Sequence, residues 1–281
     1  MLDVYFESNK EAITFCQRLF QYDHNAEFHC KKNDEGRSKI KIDDSATGDH
    51  LSGMIAKALT DVFICHREIR WVKHIVQTCY YYKDLEEIQR IVDLTQSIVT
   101  EDQEEFEQII KDNKPRVTLQ KLFAQHANDK VIYFDSIVNF RFHRYREELI
   151  EVVGLAIDEF KREEEYQSFV QSLREYVDKK KSKFSTIHVL QGKDFTFYNA
   201  DGKPFTSLEL KMLINKEPLY IVGLDQEELN LTPLLAMAPE EIIIYGDFPS
   251  EAKTLTIINV FQERVKFETS DHFPFVHYLK S

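Results

Sequence analysis

The sequence predicts a mixed α+β protein: a small N-terminal β-α-β-β unit, a helical middle, and a C-terminal α/β unit with a small, mostly parallel sheet. Three observations carry this. Apolar residues alternate with period two in Leu2, Val4 and Phe6, which is the pattern of a half-buried strand. They recur at helical spacing through the middle of the chain, up to Val177. After Lys183, short apolar runs alternate with short helical patterns in β-α-β-α-β order, as in parallel strands joined by crossovers. The expected boundaries are 1–48 for the small α/β unit, 49–182 for the helical domain and 183–281 for the α/β domain.

In the first unit, Ser8 followed by Glu11 reads as a capping box, and Ile13, Cys16, Leu19 and Phe20 make one helical face. Residues 27–31 and 38–43 read as a hairpin around Asn33-Asp-Glu-Gly36. In the middle, Leu51, Ile55, Leu59, Val62 and Phe63 fall on one face, and Ile69, Val72, Ile75, Val76 and Cys79 on another. Asp84 with Glu87 opens a third helix, and Thr100 with Gln103 a fourth that ends before Pro115. A long amphipathic stretch follows Asp135. In the last unit, residues 186–190 and 194–198 read as strands around a turn at Asn199-Ala-Asp-Gly202. Thr206 with Glu209 caps a helix over 208–214. Residues 218–222 read as a strand, Asp225 with Glu228 caps a helix through Met237, 241–245 is a buried strand, 252–261 a helix and 264–267 the last strand.

Composition bounds the function. Apolar residues at 43% support a real core, so the chain is not disordered by composition. A net charge of −12 argues against a general phosphate-backbone binder, which needs clustered cations. No apolar run is long enough to span a bilayer, and the acidic N-terminus lacks the regions of a signal peptide. The expectation is a soluble cytoplasmic protein. Its four cysteines, Cys16, Cys30, Cys65 and Cys79, form no CxxC and read as reduced, buried thiols. Cys65 and Cys79 on one helix would lie about 21 Å apart, too far to share a metal.

No standard catalytic motif is present: no GxGxxG, P-loop, HExxH or GxSxG. No cofactor is expected. Asp225, Asp247 and Asp271 each follow a predicted strand, where parallel sheets bind ligands, and three carboxylates there would hold a divalent metal for phosphoester chemistry. The plainer use of Asp225 is as a helix cap, and of the other two as loop acids. The phrase Val138-Asn-Phe-Arg-Phe-His-Arg-Tyr145 carries the candidate binding residues Asn139, Arg141 and Tyr145. Arg141, His143, Arg144 and Arg146 make a cationic patch suited to a phosphate or an acidic partner. Structurally, Asn139 would cap the helix, and Arg141, with apolar neighbours, would have a buried stem and pair with a carboxylate, joining the helical middle to an α/β unit. Lys179-Lys-Lys-Ser-Lys183 suits a helix C-terminus, and Tyr80-Tyr-Tyr82 suits packing more than stacking on bases.

Residues 137–145, with the helix through Val153, Ile157 and Phe160, resemble the YtxC-like family of sporulation-associated proteins, which is confined to endospore-forming bacteria. Tyr80-Tyr-Tyr82, the segment 234–245 and the segment 258–265 resemble it too, so the likeness covers most of the chain. The resemblance implies a cytoplasmic protein without an assigned activity and brings no catalytic residues. Where the family pattern has paired cysteines after the last strand, this chain has Thr269-Ser-Asp-His272. Three functions follow as expectations: a non-enzymatic interaction or assembly protein with a protein partner in spore-forming cells; a metal-dependent phosphoesterase or nuclease on Asp225, Asp247 and Asp271; and a weak nucleic-acid binder, which the net charge disfavours.

Overall fold

The computed structural model describes residues 2–24, 27–32, 37–42, 48–100, 115–219, 223–224 and 229–275. The chain divides into two compact units, residues 1–162 and 163–281.

In unit 1, β1 (Leu2–Phe6) is central in a four-stranded sheet ordered β2-β3-β1-β4, with β2 at Phe28–Lys32, β3 at Ser38–Ile42 and β4 at Val131–Tyr133. The period-two pattern fixes the register. Val4 lies opposite Ile40 across the antiparallel β1–β3 pair and opposite Ile132 across the parallel β1–β4 pair, and all three are buried. Strand β4, only three residues long, has no counterpart among the sequence expectations. The hairpin turn expected at Asn33–Gly36 lies outside the described residues.

Helix α1 (Asn9–Tyr22) buries Ala12, Phe15 and Leu19. The capping box expected at its start is not formed. Ser8 occupies the cap position without a side-chain bond, because Glu11 is drawn into the core to meet an arginine. Helix α2 (Gly48–Phe63) runs through a π-helical turn, Ile64–Glu68, directly into α3 (Ile69–Thr78). The two apolar faces read in the sequence are out of phase, and the wider π turn absorbs the mismatch. It keeps Leu59, Val62 and Phe63 inward on one side and Val72, Ile75 and Val76 inward on the other, while Ile69 and Cys79 face out. Helix α4 (Leu85–Thr100) is capped as expected by Asp84, whose Oδ1 accepts from the Glu86 and Glu87 amides at 2.8 and 3.0 Å. The helix expected to begin at Thr100 falls largely outside the described residues. Helix α5 (Pro115–His126) starts on the proline that was expected to end a helix. Helices α6 (Phe134–Arg141) and α7 (His143–Asp178) follow. One apolar core joins the sheet to helices from α1 to the first part of α7.

In unit 2 the sheet order is β6-β5-β7-β8, with β5 at Thr186–Leu190, β6 at Thr196–Tyr198, β7 at Glu241–Tyr245 and β8 at Val265–Glu268. Strands β5, β7 and β8 are parallel and β6 is an antiparallel edge, the mostly parallel sheet that the sequence predicts. Helix α8 (Ser207–Ile214) carries the expected capping box in full: Thr206 Oγ1 accepts from the Glu209 amide, and Glu209 accepts from the Thr206 amide. Pro218 and Leu219 are not in a strand, and residues 220–222 lie outside the described residues. The helix expected to open at Asp225 is described only as α9 (Thr232–Met237), with Pro233 in its first turn; Asp225 and Glu228 lie outside the described residues. Helix α10 (Ala252–Phe261) connects β7 to β8. Among the described residues, no helix is long and apolar enough to cross a membrane.

Candidate interaction site

The phrase singled out in the sequence forms a helical corner in unit 1. Phe142 leaves helical geometry (φ −94°, ψ 17°), so α6 ends at Arg141 and α7 starts afresh at His143. The break is held by packing. Phe142 and Tyr145 are buried in an aromatic cluster with Phe63, Trp71 and Phe123, with ring centroids 5.0 Å apart for Phe63–Phe142 and 5.1 Å for Phe123–Phe142. Such edge-on pairs contribute about 0.5–1.5 kcal/mol each beyond burial. Phe134, Ile137 and Val138 take the inner face of α6, which leaves Asn139, Phe140 and Arg141 together on the outside.

This corrects two expectations. Arg141 is exposed, and no described residue pairs with it, so it is not the buried bridge. Asn139 lies inside α6 and caps nothing. The physical reason is helix phase. Residues 137, 138, 142 and 145 satisfy the core, and 139–141 fall on the opposite arc. Tyr145 is fully buried, and its hydroxyl donates to Glu68 Oε1 at 2.6 Å, so its place is structural rather than at the surface.

The bridge foreseen for Arg141 is made by Arg67, which sequence reading passed over. Arg67 sits in the π turn and forks onto Glu11 of α1, with Nη2 to Oε2 at 2.8 Å, while the same Nη2 reaches Asp135 of α6 at 2.6 Å. Asp135 Oδ2 also accepts from the Glu7 amide at 2.9 Å, tying the end of β1 to α6. Hydrogen bonding to Glu11, opposed by burial and helped by Asp135, holds the Arg67 guanidinium above its ordinary pKa. Next to it, burial raises the Glu68 carboxyl, against the Tyr145 hydrogen bond, and burial with the Glu68 charge raises the Tyr145 hydroxyl. The only sequence signal for Arg67 was the phase slip between the two helical faces.

The outer surface of the corner is cationic. Arg141, His143, Arg144 and Arg146 are exposed, although Arg144 Nε reaches Glu148 at 3.1 Å, and the first turn of α7 contains no acid. Helix N-termini favour acids, because the macrodipole places positive charge there. Basic residues at this end work against local helix stability. They concentrate positive potential beside Phe140, which is 72% exposed, in a chain of net charge −12.

The other sequence candidates are placed as follows. Asp247 lines a cleft of about 690 Å³ in unit 2, at the carboxyl ends of the parallel strands, with Gln191, Gly246, Phe248, Glu251 and Ser270. Gln191 spans it: its Oε1 accepts from the Asp247 and Phe248 amides, and its Nε2 donates to Glu251 and Thr254. A Cβ at Gly246 would lie 2.1 Å from Gln191 Oε1, which explains the glycine. Ser270 Oγ donates to Asp247 Oδ1 at 2.8 Å, Asp271 is exposed, and Asp225 lies outside the described residues. Among the described residues, no three His, Cys, Asp or Glu side chains are placed to hold a metal. In the Lys179–Lys183 run, Lys180 and Lys183 both bind Glu217, at 2.7 and 2.6 Å. Of the three tyrosines, Tyr80 donates to the Ile150 carbonyl, Tyr82 packs on Phe160, and Tyr81 is exposed.

Fold and corner together define a mixed α+β protein of two units that presents an exposed aromatic among cations. The model of the YtxC-like family matches residues 53–266, and the chain belongs to that family. It is 28% identical over 271 residues to the uncharacterized protein YtxC of Bacillus subtilis (strain 168), covering 95% of this chain and 93% of that one. No solved structure matches.

Proposed function

We propose that this is a cytoplasmic, non-enzymatic interaction protein of sporulating cells, and that it docks an acidic protein partner on the α6–α7 corner through Phe140 and Arg141. The observation that carries the reading is the outward grouping of Asn139, Phe140 and Arg141 beside His143 and Arg146, with Phe140 left uncovered. An exposed aromatic beside arginine is the composition of an interface centre. The sporulation setting rests on the family resemblance.

The test is a photo-crosslinking residue at position 140, compared with one at the exposed Leu208 of α8, in extracts of sporulating cells. A discrete adduct is expected from position 140 alone. It should be lost with Arg141→Glu and weakened by salt, because rim charges are screened. Equal adducts from both positions, or none from 140, overturn the reading. The metal-dependent alternative draws less support, since Asp247 is bonded to Ser270 and Asp271 is exposed. Manganese-dependent turnover of a phosphodiester that vanishes in Asp247→Asn would put that alternative in its place.

A further inference from the structure

The sequence led us to expect buried thiols, yet Cys30, Cys65 and Cys79 are exposed and Cys16 is half-buried. Two of them meet. Cys16 of α1 and Cys30 of the edge strand β2 have their sulfurs 3.3 Å apart. A disulfide needs about 2.05 Å between sulfurs, so the two sulfurs would have to approach by roughly 1.2 Å to close the bond. Both cysteines line one cleft of about 260 Å³, beside Ile13, Gln17, Lys31 and Ser38. That cleft gives a small disulfide access to the pair. Cys65 and Cys79 have no such thiol neighbour: the Cys65 sulfur accepts from Arg18 and the Cys79 sulfur contacts the Thr78 hydroxyl.

We propose that Cys16 and Cys30 are a redox-active dithiol that small-molecule disulfides convert to an intramolecular disulfide, fastening α1 to the edge of the unit 1 sheet. Cys30, at the exposed position, gives its proton to water, and its sulfur attacks one sulfur of the small disulfide, breaking that S–S bond and releasing one thiolate, which takes up a proton. Cys16 then gives its proton to water and attacks the Cys30 sulfur of the mixed disulfide, releasing the second. Two protein thiols are oxidised and one external disulfide is reduced to two thiols. Burial and the Cys30 hydrogen bond raise the Cys16 thiol, which leaves the first attack to the exposed Cys30.

The experiment equilibrates the full-length protein with oxidised and reduced glutathione in graded ratios, quenches by alkylation and maps the peptides by mass. The expected product joins the peptides of Cys16 and Cys30 with the loss of two hydrogens and no glutathione. Cys65 and Cys79 should be found alkylated or carrying glutathione. The double variant Cys65→Ser/Cys79→Ser should form the same link at the same ratio. In Cys30→Ser, Cys16 should resist glutathione under conditions that modify Cys65. Glutathione on Cys16 and Cys30 separately, both left alkylated throughout the series, or loss of the link in the double variant would each overturn the proposal.

Discussion

Each unit covers a four-stranded sheet with helices, and each has a multi-centre ion cluster among its described residues, but the charges are exchanged. In unit 1 a cation, Arg67, sits between two carboxylates, and Glu11 is only 2% exposed. In unit 2 a carboxylate, Glu217, sits between Lys180 and Lys183 and also accepts from the Tyr176 hydroxyl. The first is a fork with fixed geometry, buried where a sheet, a helix start and a π turn meet. The second is a clamp of flexible ammonium groups with Lys183 still in water. Burial opposes ionisation of Glu217, but the lysines prevail and lower its pKa to about 2. Lys180 is itself lowered by burial, although Glu217 opposes this. The difference teaches that the rigid guanidinium is used where several elements must keep one mutual geometry, and lysines where one segment is fastened to a rim.

The largest effect should come from Arg67→Ala, which strands Glu11 and Asp135. A loss of about 3 kcal/mol or more is expected. Trp71, the single tryptophan, packs against Phe63 and Phe142, so its fluorescence during denaturation follows unit 1. Arg67→Lys should restore little, since an ammonium cannot span the fork; full recovery would show that charge alone suffices.

Glu217→Gln should cost unit 2 about 2 kcal/mol, less than the Arg67 loss because one lysine remains solvated. Hydrogen exchange of the 176–190 backbone would report it. The folded pKa lies below the ordinary 4.5, so the clamp stabilises fully above that pH. It is lost as pH falls through the interval down to about 2. Faster exchange across that interval in the wild type, absent from the variant, is the expected signature.

Glu68 should act in the opposite sense. Its folded pKa is raised above 4.5 by burial, so its contribution is full below 4.5 and fades as pH rises past that value. Glu68→Gln should flatten that part of the unit 1 stability profile followed by Trp71, with a net change of about 1 kcal/mol. A profile that keeps its slope would remove Glu68 from the account.

The smallest effect is expected at the corner itself. Arg141→Ala should change unit 1 stability by no more than about 0.5 kcal/mol, because the side chain is exposed and unpaired among the described residues. A melting shift as large as that of Arg67→Ala would return Arg141 to a structural role and undo the separation of bridge from surface.

The contrast between Arg67 and Arg141 shows where sequence reading stopped. Both arginines were visible, and the need for a guanidinium joining an α/β unit to helices was foreseen. The neighbours of Arg141 in sequence are apolar, but an eight-residue helix with four inward positions turns 139–141 outward. Arg67 lies next to another charged residue and a histidine and looks solvated; only the π turn brings it inward. Glu11 was assigned to a cap, because a local partner is the only one a linear reading can supply. The position of Asp247 after β7 was legible in the sequence, but the cleft it lines, and Gln191 that spans it, were not.

The sequence by itself determined most of the strands and helices, the mostly parallel order of the second sheet and the Thr206–Glu209 cap, because alternation, helical period and capping act over a few residues. Tertiary structure decided which arginine is the bridge, which cysteines meet, and that Phe140 rather than Tyr145 faces out. Those outcomes depend on partners far apart in sequence: 56 residues between Arg67 and Glu11, 77 between Tyr145 and Glu68. No local pattern encodes such a pairing, because it is the closing of the whole core that selects it.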